Sequence, residues 1–388
     1  MWRVKVSEML LSYRFRLYPS KSIQARLTEH LELCRWLYNR LLSEVNKAKE
    51  EKRRITQRDT QALIVELKRA EKPELKGVYS KVLQMVNHQL WSNIKALTQL
   101  KRNGRRIGWL RFKGRGWFKT LNYNQSGFNL ESKRLTLSKI GSIPIKLHRP
   151  MEGRVKGVIV KRAKSDRWYA IFQVEEKPKP LPKTGRVIGI DLGLRHFLTD
   201  SDGRQVESPR FYRRTLDKIK RLQRRLSRKV RGSRNREKTR VKLARAYERL
   251  VNQRNDFLHK LSRFYINNYD VICVEDLQIQ NMVKNHNLAQ RVLDASRGRF
   301  LQMLSYKAEN AGRVAASVNP RGTSQIYRFG KLDRDYNASL NILERGLSGL
   351  GRPSEPVERR PLLRITALAV ITGQVASMKQ EAPPFMVG

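Results

Sequence analysis

Two runs of apolar residues, each followed at once by a carboxylate, constrain the fold of this chain more than any other feature. Residues 187–190 (VIGI) precede Asp191, and residues 271–274 (VICV) precede Glu275. A short run with no polar alternation is typical of a strand buried on both faces. We therefore expect two buried strands, each ending in a charge that burial alone would make costly.

A third acidic position lies at the start of the helix predicted from DRDYNASLNILERGL, at Asp333 or Asp335. The carboxyl ends of neighbouring parallel strands lie side by side, so Asp191 and Glu275 can face one crevice, and a helix crossing it would add the third acid. Three such carboxylates need protons or a divalent cation between them. Hard oxygen ligands favour Mg²⁺ or Mn²⁺, and a pair of such ions hydrolyses phosphodiesters.

Each acid also has an ordinary explanation when it is taken singly. A carboxylate at a strand end is often a turn residue, Asp333 can be the N-cap of the following helix, and Asp276 can face solvent. The segment GIDLG also opens the phosphate site of actin-like and sugar-kinase ATPases. Those enzymes need a later Asp-Gly-Gly-Gly-type loop, which the sequence lacks, so the ATPase alternative is disfavoured.

The charge of the chain indicates a polyanionic partner. Its 82 Lys and Arg residues against 34 Asp and Glu give a net charge of +48. This charge would repel itself strongly without a counterpart, and a long nucleic acid is the obvious one. Ribosomal, packaging and membrane-surface proteins share such a charge, but they seldom carry carboxylates at the ends of apolar strands.

Hydrophobic spacing divides the chain into domains. An alternating segment ends at Tyr18-Pro19, residues 21–100 follow a helical period, and residues 101–183 contain short β-type runs. We expect a small β-barrel from residues 1–20 and 101–183 with a helical insert at 21–100. The Pro- and Lys-rich segment 176–185 is the predicted linker. The tail at 349–388 is rich in Pro, Gly and charge, so we expect it to be mostly disordered or to be ordered only by a partner.

Residues 213–264 read as two basic helices that form an αα-hairpin. Between Lys218 and Arg263 the sequence has eighteen Lys or Arg and three acids. A solvated charged face is the ordinary explanation, but the net charge of the chain favours contact with nucleic acid. The predicted contacts are Lys218, Arg221, Arg224, Arg225, Arg228, Lys229, Arg231 and Arg234.

The cysteines point to a reducing compartment. Only Cys34 and Cys273 are present, each within an apolar pattern, so the sequence can build neither a disulfide framework nor a Cys-ligated zinc site. The N-terminus begins with charged residues, and no apolar run reaches the about 18 residues of a membrane span. We expect a soluble protein of a reducing compartment, the cytoplasm.

Three motifs together resemble a known family. VIGIDLGLRHFLTDSDG, VICVEDL and DRDYNASLNIL, with a basic hairpin between the first two, resemble the split RuvC nuclease of TnpB, the transposon-encoded ancestor of compact type V CRISPR effectors. The segments YRFRLYPSKSIQARLTEHLELCRWLYNRLL, RFKGRGWFKTLNYN and KLARAYERLVNQRNDFLHKLS match as well, so the resemblance extends to about Leu350. By position, Asp191, Glu275 and Asp335 match the three catalytic acids, and Asp333 lies outside the motif.

The resemblance implies an α/β multidomain fold. It has a β-barrel wedge domain, an inserted helical recognition domain, and an RNase H-like (RuvC) nuclease domain at residues 186–318 and 333–348. It also implies a guide RNA from the transposon end and a DNA target beside a transposon-adjacent motif, with base pairing supplying specificity. Lys81 and Gln84 fall where motif-reading residues would lie, although a helix core is an alternative there. Asn337 and Asn341 would order the last helix or its loop.

One departure from the family is large. Members usually carry a four-Cys zinc ribbon before the last helix, whereas residues 319–332 bridge that gap without a cysteine. We therefore expect no zinc, and a loop held by packing, with Tyr327 and Phe329 as candidates. Two alternatives to an RNA-guided, Mg²⁺-dependent DNA endonuclease stay open. One is a nuclease-inactive RNA-guided repressor, and the other is a sequence-blind RNA-binding or structural protein.

Overall fold

A computed structural model describes residues 8–193, 195–209, 211–275, 288–319, 323, 332–351 and 362–372. The chain divides into two compact units, and the boundary lies between Glu176 and Lys177. It therefore falls at the start of the Pro- and Lys-rich segment 176–185.

The unit from Glu8 to Glu176 is built on one antiparallel sheet. Its strands are β1 (Met9–Leu17), β2 (Thr120–Asn124), β3 (Phe128–Glu131), β4 (Arg134–Leu137), β5 (Gly141–Lys146), β6 (Arg154–Arg162) and β7 (Trp168–Glu176). In space they are ordered β2-β6-β7-β1-β5-β4-β3. The strands β2 and β3, at the two ends of this order, are joined by the short turn Gln125–Gly127. The sheet is thus nearly closed, and it includes the first strand as the barrel prediction required.

Three helices lie between β1 and β2 in this unit. They are α1 (Lys21–Glu50), α2 (Gln57–Glu66) and α3 (Ser80–Arg102). The helix α1 begins where the Ser20 hydroxyl accepts a hydrogen bond from the Ile23 amide, and Thr56 and Asp59 form a capping box at the start of α2. The buried residues of α1 and α3 share one core with the sheet.

The unit from Lys177 onward contains a mixed sheet. Its strands are β8 (Val187–Asp191), β9 (Leu198–Asp200), β10 (Arg204–Val206), β11 (Val271–Glu275), β12 (Val314–Val318) and β13 (Leu363–Ile365), ordered β12-β11-β8-β9-β10-β13. The strand β11 pairs in parallel with both β8 and β12, and β9 is antiparallel to β8. The two apolar runs are therefore neighbouring parallel strands, and burial at the centre of the sheet explains their composition.

Within the described residues, five α-helices accompany this sheet. They are α4 (Phe211–Ser227), α5 (Arg234–Asn268), α6 (Leu288–Ala311), α7 (Arg334–Gly349) and α8 (Ala367–Thr372). The helices α4 and α5 pack on each other through Ile219, Ala246 and Leu250, which confirms the predicted hairpin. Both cysteines are free and buried, also as predicted.

The predicted disorder of the tail is wrong for residues 363–372. Leu363–Ile365 forms β13, which pairs in parallel with β10 at one edge of the sheet. Ile365 and Val370 are buried in the core of this unit. A three-residue strand gains its stability from pairing and burial, which the average composition of a Pro- and Gly-rich tail conceals. Residues 352–361 and 373–388 lie outside the described residues.

No helix within the described residues is long and apolar enough to cross a membrane.

Candidate active site

The register of the two parallel strands places the first two predicted acids side by side. Val274 of β11 lies opposite Ile190 of β8, so Glu275 and Asp191 are the next residues on neighbouring strands. Both side chains are half-buried. The carboxyl ends of β8 and β11 therefore carry one acid each at the same edge of the sheet, as the sequence predicted.

The third acid is brought to this edge by glycine-mediated packing of α7. A Cβ added at Gly189 would lie 2.2 Å from the carbonyl oxygen of Ser339, so the helix rests directly on β8. Asp335 lies one helical turn before Ser339, and Asp191 lies two residues after Gly189. Asp335 along the helix and Asp191 along the strand are therefore each about 6 Å from the point where Ser339 contacts Gly189. A Cβ added at Gly193 would lie 3.3 Å from Asp335 Oδ2, which places that carboxylate over the turn after Asp191.

The helix start also separates the roles of the two neighbouring acids. Oδ1 of Asp333 accepts hydrogen bonds from the amides of Asp335 and Tyr336 at 3.1 and 3.2 Å, and one from Nε2 of Gln205 at 3.4 Å. Asp333 is therefore the N-cap of α7. Asp335, in the first turn, is the acid that acts on Asp191.

Electrostatics show that the three acids share one environment. Burial, together with the nearby charges of Glu275 and Asp335, raises the pKa of Asp191 to about 7, while Arg297 and Arg334 oppose the rise. The structure thus brings together the three acids predicted from the sequence. Asp191 is the member that most needs an added positive charge.

As they stand, these carboxylates do not enclose a point where a metal ion would sit. Among the described residues, no group of three or more His, Cys, Asp or Glu side chains has metal-holding geometry. Two of the carboxylates have other neighbours. Oε1 of Glu275 accepts a hydrogen bond from the Thr323 hydroxyl at 2.5 Å, and Nδ1 of His196 lies 3.9 Å from Oδ2 of Asp335. The donors are hard oxygens in a net negative setting, which fits Mg²⁺ in chemistry although the oxygens are not yet gathered.

Arg297 is a member of this site that the sequence analysis missed. Its side chain is 3% exposed, and its guanidinium donates a hydrogen bond to the carbonyl of Gly193 at 2.6 Å. It therefore fixes the turn between Asp191 and Asp335. The available signal was its position, because Arg297 lies at helical spacing from the buried Phe300 and Leu304 of α6. A charged residue at a core position of a helix needs a partner.

Thr323 is the second residue missed. Besides its bond to Glu275, its carbonyl accepts a hydrogen bond from Nδ2 of Asn341 at 2.7 Å. Asn341 thus contacts the segment before α7 at Thr323, and Asn337 is likewise buried on that helix; a wider ordering role stays a prediction. A lone Thr in a loop gives no sequence signal. The packing candidates Tyr327 and Phe329 lie outside the described residues.

The predicted nucleic-acid contacts lie on the α4–α5 hairpin. All eight are exposed except Lys229, which is half-buried. A cavity of about 380 Å³ is lined by Arg221, Arg224, Arg225, Arg228 and Lys229. The turn beside it is ordered, because the Arg236 guanidinium donates to the carbonyls of Leu226 and Lys229 and the Ser233 hydroxyl caps α5. This arrangement suits phosphate groups, while the individual contacts remain predictions.

Lys81 and Gln84 lie in the first turns of α3 and are half-buried. Val82, Leu83 and Val86 supply the fully buried side of this helix. A core role for Lys81 and Gln84 is therefore disfavoured, and motif reading stays a prediction.

Comparison with known proteins gives matches over both units. Residues 171–286 match a family described as "Probable transposase", and residues 9–54 match one described as "Helix-turn-helix domain". The second range here forms β1, α1 and the turn after it. A cryo-EM structure of the Cas12f1-sgRNA-target DNA complex has a similar fold. Its TM-score is 0.50 at 11% identity, and the match covers 86% of this chain and 98% of that one.

Two curated relatives are similar along most of their length. A protein of Streptomyces pristinaespiralis named "Putative RNA-guided DNA endonuclease" is 32% identical over 368 residues, which is 87% of this chain and 89% of the relative. InsQ of Escherichia coli (strain K12), which carries the same name, is 29% identical over 337 residues, with 81% and 82% covered.

Proposed function

We propose, on the premise that this chain belongs to the TnpB family, that it is an RNA-guided DNA endonuclease of transposon origin. The observation that carries the proposal is the gathering of Asp191, Glu275 and Asp335 at the ends of two parallel strands and the start of α7. The names of the two curated relatives support the same activity.

We infer that the unit from Lys177 onward is a RuvC-type nuclease domain of RNase H-like fold. The support is a mixed sheet in which β12, β11 and β8 are parallel neighbours and β9 is antiparallel to β8. In addition, the helix α7 packs across β8, the strand that ends in Asp191. Asp191, Glu275 and Asp335, the catalytic acids predicted from the resemblance, would then form the catalytic site at the edge where β8 and β11 end.

Divalent metal ions are part of the proposal, and the residues present fit them. The three carboxylates are hard oxygen donors, and burial, followed by the charges of Glu275 and Asp335, raises the pKa of Asp191, so added positive charge would stabilise its ionised form. Mg²⁺ or Mn²⁺, when bound, would supply Lewis-acid activation of the scissile phosphodiester and of water. Asp191, Glu275 and Asp335 would hold the ions, and the hydroxyl of Thr323 would orient Glu275.

The remaining residues would position the substrate. Arg297 holds the backbone turn at Gly193 and so keeps the edge next to Asp335 in place. The five cations of the α4–α5 hairpin cavity would hold the backbone of a nucleic acid without reading its sequence. Sequence specificity would come from base pairing with a guide RNA, and the protein would read only the short motif beside the target. Lys81 and Gln84 are the proposed readers.

The decisive experiment combines the purified protein with the RNA that co-purifies with it and a plasmid library that carries the matching target. We expect cleavage that EDTA abolishes. Asp191→Ala should abolish cleavage and leave target binding intact. Glu29→Gln, which removes an exposed acid of α1, is the matched control and should cut at the parental rate.

A nuclease-inactive, RNA-guided DNA-binding protein is the second candidate. Two observations favour it, namely the absence of metal-holding geometry among the described residues and the cysteine-free segment at 319–332. Target binding without cleavage by the unmutated protein would establish it. Binding of RNA with no recognition of any DNA target would exclude both candidates.

A further inference from the structure

The segment between α3 and β2 combines positive charge with exposed aromatic rings. Residues 101–119 contain eight Lys or Arg and no acid. Within it, Trp117 is 77% exposed and Phe112 is 57% exposed. A single exposed apolar residue is ordinary on any protein. Two large exposed rings in a segment whose charged residues are all basic indicate a binding surface more specifically than a single exposed ring does.

This segment is fastened to α1 by its backbone. The amide of Lys113 donates to Oδ1 of Asn39 at 2.8 Å, and Nδ2 of Asn39 donates to the Lys113 carbonyl at 3.0 Å. The amide of Gly116 donates to Oε1 of Glu32 at 3.0 Å. Phe118 is buried and packs near Tyr38. Trp117 therefore projects from a loop whose residues on both sides are anchored.

The backbone of Trp117 is also held in place. Its amide donates to the carbonyl of Gly114 at 3.1 Å, and a Cβ added at Gly114 would lie 3.5 Å from Cδ1 of the ring. The five-membered edge of the indole thus lies against a residue without a side chain, and most of the ring is left open to solvent. A backbone that is ordered before binding loses little conformational entropy when a ligand stacks on the ring that it carries.

Trp109, in the same segment, shows the contrast. Its Nε1 donates to Oδ1 of Asn46 at 2.8 Å, and the ammonium of Lys49 lies 4.6 Å from its ring centroid. That indole contributes to packing within the unit. The exposed ring of Trp117 makes no comparable contribution to the core, so a function outside folding accounts for it better.

We propose that Trp117, with Phe112 as a second ring, is a stacking platform for unpaired bases of an RNA strand, and that Arg111 and Arg115 hold the backbone of that strand. Aromatic side chains beside cations are the usual means of binding single strands, because every base has a stacking face. A segment whose charged residues are all cationic favours a polyanion over a protein surface.

The assignment to RNA rests on the proposed function. Of the two partners proposed there, the target DNA is a duplex before recognition, and only its displaced strand becomes unpaired when the guide pairs with the other strand. A guide RNA instead carries unpaired loops, whose bases are typically bound by aromatic stacking. Single-stranded DNA is the competing source of the same chemistry.

The test compares a 12-nucleotide unpaired RNA with a strand of the same length and charge that lacks its bases, using the full-length protein at fixed salt. Trp117→Ala should weaken binding of the RNA about 5- to 150-fold and leave the abasic strand unaffected. Trp117→Phe should retain most of the affinity. An equal loss for both strands, or no loss for the RNA, would overturn the proposal.

Val65 provides the control, because it is an aliphatic side chain, 49% exposed, on α2 and away from the basic hairpin. Val65→Ala should leave both affinities unchanged. Unfolding temperatures should be equal among all variants, since the ring is exposed. Crosslinking of 5-bromouridine RNA should label the peptide that contains Trp117, and labelling confined to other peptides would contradict the assignment.

A parallel measurement with single-stranded DNA separates the two sources. A loss on Trp117→Ala that is confined to RNA supports the assignment, and an equal loss with DNA overturns the choice of RNA. The outcome is independent of cleavage. A protein that fails to cut any target but shows the base-dependent effect retains this site and loses only the proposed nuclease activity.

Discussion

Thr323 donates a hydrogen bond from its hydroxyl to Oε1 of Glu275 at 2.5 Å, while its carbonyl accepts one from Asn341 of α7 at 2.7 Å. One residue of the cysteine-free loop thus joins an acid at the end of β11 to the helix that carries Asp335. A hydrogen-bonded contact of the cysteine-free segment thus orients one of the proposed metal-binding carboxylates.

Thr323→Val keeps the shape of the side chain and removes the donor, so Glu275 would lose its orientation. We expect cleavage to fall about 10- to 100-fold, as is usual for groups that orient metal ligands. The Mg²⁺ concentration for half-maximal cleavage should rise, and target binding should not change. Thr323→Ser should restore both values. An unchanged Mg²⁺ requirement in Thr323→Val would show that the contact has no part in metal binding.

Gly189→Ala tests the packing that brings Asp335 to the site. The added methyl would meet the Ser339 carbonyl at 2.2 Å, so α7 must move away from β8. We expect a loss of about 1–3 kcal/mol in the free energy of unfolding, together with a large loss of cleavage. Thermal and denaturant unfolding give the first quantity, and plasmid cleavage gives the second.

Gly349→Ala is the control for that experiment, because nothing lies within 4 Å of the added Cβ at the end of the same helix. Alanine has the higher helix propensity, so this variant should be neutral or more stable by up to about 1 kcal/mol. Equal destabilisation by the two substitutions would refute the close contact at Gly189.

The basic hairpin should determine how RNA binding responds to salt. Replacing Arg224, Arg225 and Arg228 by Gln removes three cations of one cavity. The slope of log affinity against log salt should fall by about 0.7 for each phosphate of a single strand that these cations no longer neutralise. Arg240→Gln is the comparison, since Glu237 already pairs with that guanidinium. A slope unaffected by the triple substitution would place the RNA elsewhere.

Lys307 should make stability depend on pH. Its ammonium donates to the His259 carbonyl and the Ser262 hydroxyl at 2.7 Å, and burial, followed by the nearby charge of Arg263, lowers its pKa to about 7. The unfolded side chain keeps a proton up to about pH 10.4. Between these pH values the unfolded state binds more protons than the folded state. The buried lysine therefore lowers the free energy of unfolding most below pH 7, and progressively less as the pH rises above 7.

Lys307→Met removes this dependence. The stability of the Met variant relative to the parent should therefore decline as pH rises from 7 to 10, by an amount on the order of 1–3 kcal/mol. Lys260→Met, at an exposed lysine of α5, is the comparison for a charge removed outside the core. A constant difference for Lys307→Met would mean that this lysine stays charged in the folded protein.

The sequence predicted those parts of the site that depend on a local residue pattern. Asp191 and Glu275 follow wholly apolar strands, and that pattern depends on burial of both faces, so the parallel pairing could be anticipated. The choice of Asp335 over Asp333 came from the family resemblance, and the N-cap bonds of Asp333 explain it physically. Arg297, Thr323 and β13 were missed because each depends on partners far away in the chain.

The central claim is that three distant acids act as one site, and a comparison of single and combined substitutions tests it most directly. Target cleavage would be measured for Asp191→Asn, Glu275→Gln, Asp335→Asn and the triple variant, with target binding confirmed for each. If the acids work as a unit, every single substitution should cost nearly as much as the triple one. Losses that multiply from single to triple variant, or a single variant that cuts at the parental rate, would contradict the claim.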